Sequence, residues 1–122
     1  MMSGLLLIDK EKGPTSHDIV DRIRRILKIQ QVGHAGTLDP FATGLLVVGV
    51  GKATRLLEYL QAKEKVYEVK MKLGVITDTF DITGNVMEEN EIMVTEEEIL
   101  KVINSFVGTY KQVPPAYSAK KY

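Results

Sequence analysis

The 122-residue chain has no cysteine, which excludes disulfides and thiolate metal sites. It also lacks a long apolar run. Leu5-Leu6-Leu7-Ile8 gives way at once to Asp9-Lys10-Glu11-Lys12, too short an apolar stretch for a signal peptide or a membrane span. A cytoplasmic location is the expectation that follows. Net charge is zero, with sixteen basic residues against sixteen acidic, so bulk charge does not announce a nucleic-acid partner. The two histidines, His17 and His34, stand in no His-x-x-x-His or His-Glu-x-x-His spacing, and no zinc site is expected. There is no internal repeat, linker or low-complexity tract.

What is present is ordinary for one globular domain or part of one: 44% hydrophobic and 26% charged residues, a balance that argues against disorder. The charge is unevenly placed. Glu88, Glu89, Glu91, Glu96, Glu97 and Glu98 fall in one stretch without Lys or Arg, leaving sixteen basic residues against ten acids elsewhere. That remainder can meet a polyanion while the acidic stretch faces water.

Residues 4–8 read as a short buried strand that ends at the turn Lys12-Gly13-Pro14. A helix follows, capped by Thr15 or Ser16, with Ile19, Val20, Ile23, Ile26 and Leu27 on one face and Arg22, Arg25 and Lys28 largely off it. Residues 33–46 read as a loop and residues 45–50 as a buried strand. Residues 52–60 suggest a short helix with Leu56, Leu57 and Leu60 inward. Residues 65–73 alternate strictly, Tyr67, Val69, Met71 and Leu73 against Glu68, Lys70 and Lys72, and form the clearest strand pattern in the chain. After a Thr/Asp-rich connection over 74–84, residues 85–89 suggest a short edge strand. Thr95 with Glu98 forms a capping box for a helix bearing Ile99, Leu100, Ile103 and Phe106, stopped by Gly108. The tail from Gln112 runs through Pro114 and Pro115 and reads as extended. The order predicts an α+β domain with a mixed, largely antiparallel sheet and flanking helices.

The chemistry concentrates at Asp39. Glycines 33, 36 and 44 give its loop conformational freedom, and Pro40 restricts Asp39 to extended geometry, so one carboxylate is presented on a stiff turn. Such a group can act as nucleophile or base, although Asp also commonly builds turns. His34 on spacing alone is a loop histidine satisfied by backbone, and Tyr67 a core tyrosine whose hydroxyl finds a partner. Gly49-Val50-Gly51-Lys52-Ala53-Thr54 has letters of a phosphate-binding loop, but Leu46 replaces its first glycine and Ala53 its magnesium-binding hydroxyl. Ser16-His17-Asp18 has the letters of a hydrolase triad, yet neighbours at a helix start cannot relay a proton in line; they are helix-entry residues. Asp78 and Asp81 read as turn-forming acids.

The string His34-Ala35-Gly36-Thr37-Leu38-Asp39-Pro40-Phe41-Ala42-Thr43-Gly44-Leu45-Leu46 closely resembles the catalytic motif of the TruB family of tRNA pseudouridine synthases. Three other blocks resemble that family in order: Leu7 to Asp18; Lys65 to Val69 with Gly74, Thr77, Asp78 and Thr79; and Gln112 to Lys121. The resemblance implies isomerisation of a uridine in the T arm of tRNA, position 55, to pseudouridine, with no metal and no organic cofactor. It implies that Asp39 carries the chemistry. His34 would brace the place the nucleotide leaves, Tyr67 would stack on the extruded base, and Gly36, Thr37, Leu38 and Lys121 would contact substrate. Arg22, Arg25, Lys28, Lys120 and Lys121 are candidates for phosphate contacts.

Family members are longer and carry a later Gly-Thr-Tyr-x-Arg motif whose arginine pairs with the aspartate. Here Gly108-Thr109-Tyr110 is followed by Lys111 and Gln112 in the wrong block. Residues 1–122 are therefore expected to be the amino-terminal part of a catalytic domain, with the carboxy-terminal half and RNA-binding domain absent or on a companion chain, and with little activity alone. Two other readings compete: a non-catalytic RNA-binding or tRNA-folding module, and a guide-RNA-dependent relative acting on ribosomal RNA.

Overall fold

A computed structural model describes residues 1–116, and Lys120 and Lys121 lie outside the described residues. The chain divides into two compact units, Met1–Tyr67 and Glu68–Tyr122.

In the first unit the elements are β1 (Gly4–Lys10), α1 (Ser16–Leu27), β2 (Val32–Ala35), β3 (Gly44–Val50), a 3-10 turn (Gly51–Leu56) and α2 (Leu57–Gln61). The three strands form an antiparallel sheet in the order β1-β3-β2. Register sets the faces. Leu6 and His34 both lie opposite Val48, Ile8 opposite Leu46, and Val32 opposite Val50, so alternate residues of all three strands share one side. That side packs on Ile19, Val20 and Ile23 of α1, and Ile8, Leu27, Ile29 and Leu38 close the cluster. Each fully buried Val, Leu or Ile side chain of this cluster contributes about 1.5–3 kcal/mol, and the four partly buried ones less.

Helix α1 forms because its start and end are specified locally. Thr15 accepts from the Asp18 amide at 3.0 Å and the Asp18 carboxylate accepts from the Thr15 amide at 2.8 Å, the reciprocal capping box. The Thr15 backbone bond holds the Asp18 carboxyl below its ordinary value. Lys28, with φ 55°, turns the chain out of the helix. Arg24 then ties the helix end to β2, donating to Gln30 O (3.0 Å) and Val32 O (2.9 Å) while pairing with Asp21 (2.9 Å).

The structure corrects several expectations. Residues 33–46 are not one loop, since Val32–Ala35 is a strand and places His34 in the sheet. Gly33 is therefore not a flexing glycine. It pairs with Gly49, and a Cβ at either position would come within 3.1–3.2 Å of the Leu57 side chain, which fills the hollow they leave. Strand β1 forms where predicted but is not buried along its length, with Leu5, Leu6 and Leu7 at 43%, 37% and 71% exposure. Ile26 is exposed because, at 100° per residue, it stands roughly 65° from the middle of the stripe set by Ile19, Val20 and Ile23. Leu56 is exposed at the end of the 3-10 turn, whereas Leu57 is buried.

Residues 65–73 do not form a strand: among the described residues no partner pairs with them, and Tyr67 and Val69 are exposed. Alternation assigns a face, but a strand also needs a ladder. In the second unit the predicted strand near residue 86 is present as β5 (Val86–Glu89), paired antiparallel with β4 (Val75–Thr77), which the sequence had hidden in a connection. Asp81 braces their turn, accepting from Thr79 Oγ1, from the Thr83 amide and from the Thr83 hydroxyl, and that hydroxyl lowers its carboxyl below the ordinary value. Asp78 accepts from the Asn85 amide at 2.8 Å. Both acids thus serve the turn. Helix α3 (Glu96–Ser105) carries the predicted Thr95–Glu98 capping box, with Leu100, Ile103 and Phe106 exposed.

Candidate active site

Asp39 lies on the connection from β2 to β3, in a tight turn closed by the Ala42 amide donating to Asp39 O at 3.0 Å. Pro40 follows it with φ already fixed for such a turn. The side chain is exposed, and the hydrogen bonds described for Asp39 run through its backbone carbonyl. A fixed backbone with a carboxylate in solvent is what a presented reactive group requires.

Two buried polar side chains grip this loop from beneath. Lys10, 1% exposed, ends β1 on the same side as Leu6 and Ile8. Its ammonium donates to Ala42 O (2.7 Å), Glu11 O (3.0 Å), Asp39 O (3.2 Å) and Pro40 O (3.2 Å). Three N–H donors serve four carbonyls, so at least one bond is shared. The Gly13 amide adds a 2.7 Å bond to Pro40 O. Ser16, 2% exposed, accepts from the Leu38 amide at 2.9 Å and donates to Leu38 O at 3.1 Å. Leu38 meanwhile packs against the core. The loop is thus pinned at Leu38, Asp39, Pro40 and Ala42 by residues from the chain's start.

Sequence reasoning missed both roles, although a signal existed. Lys10 continues the inward alternation of Leu6 and Ile8, and Ser16 sits four residues before Val20 on the buried stripe of α1. Ser16 is more than a helix-entry residue. Ser16→Ala should lower unfolding stability by about 1–3 kcal/mol, because it leaves the Leu38 amide without its partner. Chemical denaturation of the protein measures this, and an unchanged midpoint would remove Ser16 from the clamp.

Of the other candidates, His34 is half-buried on β2, with Nδ1 3.0 Å from Gly36 O. A carbonyl can only accept, so this is a hydrogen bond when Nδ1 carries the proton, which leaves Nε2 of the neutral ring as an acceptor. Gly36, with φ +83°, and Gly44, with φ +127° where the loop enters β3, are positions that a side chain would strain. Thr37 is exposed. Tyr67 is 62% exposed in an extended segment, and no hydrogen bond among the described residues ties it to the loop. Of the basic candidates, Arg22 pairs with Glu11 at 3.7 Å, while Arg25 and Lys28 form no ion pair among the described residues. A shallow groove beside α1 brings Arg22, Arg24 and Arg25 together with Asp18 and Asp21, a mixed lining rather than a purely basic one. Lys121 lies outside the described residues. No helix among the described residues is long and apolar enough to cross a membrane, and they contain no cluster of three metal-ligating side chains.

Residues 24–122 match the model of the TruB family pseudouridylate synthase N-terminal domain. The chain is 66% identical over 121 residues to the tRNA pseudouridine synthase B of Thermosipho melanesiensis, covering 99% of this chain and 40% of that protein. It is 63% identical over 122 residues to the protein of that name from Thermotoga maritima, again 40% of its length. Among solved structures it resembles a chain of a Cbf5-Nop10-Gar1 complex, with a TM-score of 0.63 and 31% identity over 97% of this chain and 31% of that one. The chain therefore spans about 40% of the length of the curated relatives it matches.

Proposed function

Since this chain belongs to the TruB family of pseudouridylate synthases, we propose that it forms the amino-terminal part of a catalytic domain that converts a uridine in the T arm of tRNA to pseudouridine. The observation that carries the reading is the exposed Asp39 carboxylate on a loop fixed by buried Lys10 and Ser16. In this reaction the bond from ribose C1′ to uracil N1 breaks, the base turns, and C1′ bonds to C5 while the C5 proton is lost and N1 gains one. Substrate and product contain the same atoms, so the balance requires no redox partner and no second substrate. Asp39 acts at the sugar or the base as the group that assists detachment.

Both reacting atoms are inaccessible in a stacked nucleotide, so the uridine must swing out, at lower cost from a loop than from a duplex. His34 braces the vacated position and Tyr67 stacks on the extruded base, with Gly36, Thr37 and Leu38 lining the approach. The exposure of Tyr67 and the half-burial of His34 leave both rings available for this. Lys121, in the fourth motif, is a further substrate contact. The segment that supplies the charge partner of Asp39 lies in the remaining length of the family fold or on a companion chain. The reaction belongs to the cytoplasm, where tRNA is met. The 66% and 63% identities to tRNA-directed enzymes, against 31% to the Cbf5 chain, favour the stand-alone tRNA reading over the guide-RNA one.

The experiment is mass-spectrometric detection of pseudouridine in a T-arm stem-loop RNA. Residues 1–122 are incubated with the RNA alone and together with the remaining part of a full-length synthase. Product only with both supports the proposal. Substantial turnover by residues 1–122 alone overturns the view of them as a part, and a folded, RNA-binding full-length protein without product overturns the enzymatic reading.

A further inference from the structure

We propose that Lys65 is the cation that holds an RNA backbone phosphate beside the Asp39 loop, an assignment that rests on the function proposed above. A Cβ built on Gly36 would lie 2.6 Å from Lys65 Nζ and 3.5 Å from its Cε. The ammonium therefore occupies the space that any side chain at position 36 would fill. Gly36 is itself held in place, since its carbonyl meets His34 Nδ1 at 3.0 Å. The absence of a side chain at residue 36 thus has a consequence beyond its φ of +83°: it opens a berth for a charge three residues from Asp39.

That charge is not otherwise engaged. Lys65 is exposed and forms no ion pair among the described residues, in contrast to Arg22 and Arg24. A hydrated ammonium on a four-carbon stem can be presented at the surface at little cost and acts as a point charge toward an anion. A nucleotide delivered to Asp39 brings a phosphodiester on each side of its ribose, and such contacts fix register without reading sequence. The ammonium over Gly36 meets one of them. Arg22 and Arg25 on α1 are then not needed for this contact.

The test uses the full-length protein carrying this chain and a T-arm stem-loop RNA, with affinity measured from about 50 to about 300 mM KCl. Losing one phosphate contact should make the slope of log K against log salt shallower by about 0.7–0.9. Lys65→Gln should show that change and bind several-fold more weakly at low salt, while Lys65→Arg keeps both properties near wild type. An unchanged slope in Lys65→Gln, with wild type binding normally, overturns the assignment. So does an unchanged slope accompanied by a shifted pH–rate profile, which would place the ammonium on the Asp39 carboxylate instead. Absence of salt-dependent binding by the wild-type protein would overturn the underlying tRNA reading itself.

Discussion

Asp39→Asn in a full-length protein should reduce pseudouridine formation by at least about a thousandfold, the scale expected when a group acting in the chemical step is lost. The substitution is close to isosteric. The bonds that shape the turn run through the Asp39 carbonyl to Lys10 and the Ala42 amide, and the amide side chain disturbs neither. Folding and tRNA affinity should therefore stay within about threefold of wild type, because the phosphate contacts that dominate affinity lie elsewhere. Rate and binding separate the alternatives. Loss of product with retained binding is the signature of a reacting carboxylate. Retained product would show that Asp39 only builds the turn, and parallel loss of both would mean that the carboxylate serves binding.

The second large effect is expected at Lys10. Lys10→Met keeps much of the apolar stem and removes the ammonium. Two of its four carbonyl partners retain other donors, Pro40 O from the Gly13 amide and Asp39 O from the Ala42 amide. Glu11 O and Ala42 O lose the bond that Lys10 gave them. Charge-assisted bonds of this kind contribute about 1.5–3 kcal/mol each, partly offset because a cation no longer has to be buried. The net expectation is a loss of about 3 kcal/mol in unfolding free energy. Turnover should fall more than tRNA affinity, since the loop loses its fixed shape before it loses its surface charge. Denaturant titration combined with single-turnover rates checks both halves. A stable, fully active Lys10→Met protein would show that the clamp is dispensable and that the Pro40 turn alone positions Asp39.

What was legible in the two units rests on local signals. The capping boxes at Thr15 and Thr95, the apolar strand before Gly51 and the Asp39-Pro40 turn each depend on residues within a few positions of one another. Strand β2 was not legible, since Val32-Gly33-His34-Ala35 offers one large apolar residue and owes its place to pairing with β3. The reverse failure occurred at residues 65–73, where a perfect alternation lacks a ladder among the described residues. Partner strands are non-local facts. The same holds at the site: the motif around Asp39 was readable as a string, but its supports stand 29 residues away at Lys10 and 22 away at Ser16.

Strand β1 carries a further consequence. It pairs with β3 on one side and, among the described residues, has no partner on the other, so a row of backbone donors and acceptors faces outward along Gly4–Lys10. Leu5 and Leu7 stand exposed on it, and of its two charged residues only Asp9 remains in solvent, because Lys10 is turned inward to hold the Asp39 loop. The lysine that organises the site is thereby withdrawn from guarding the edge, and residues 1–122 handled in isolation are disposed to self-associate through that strand.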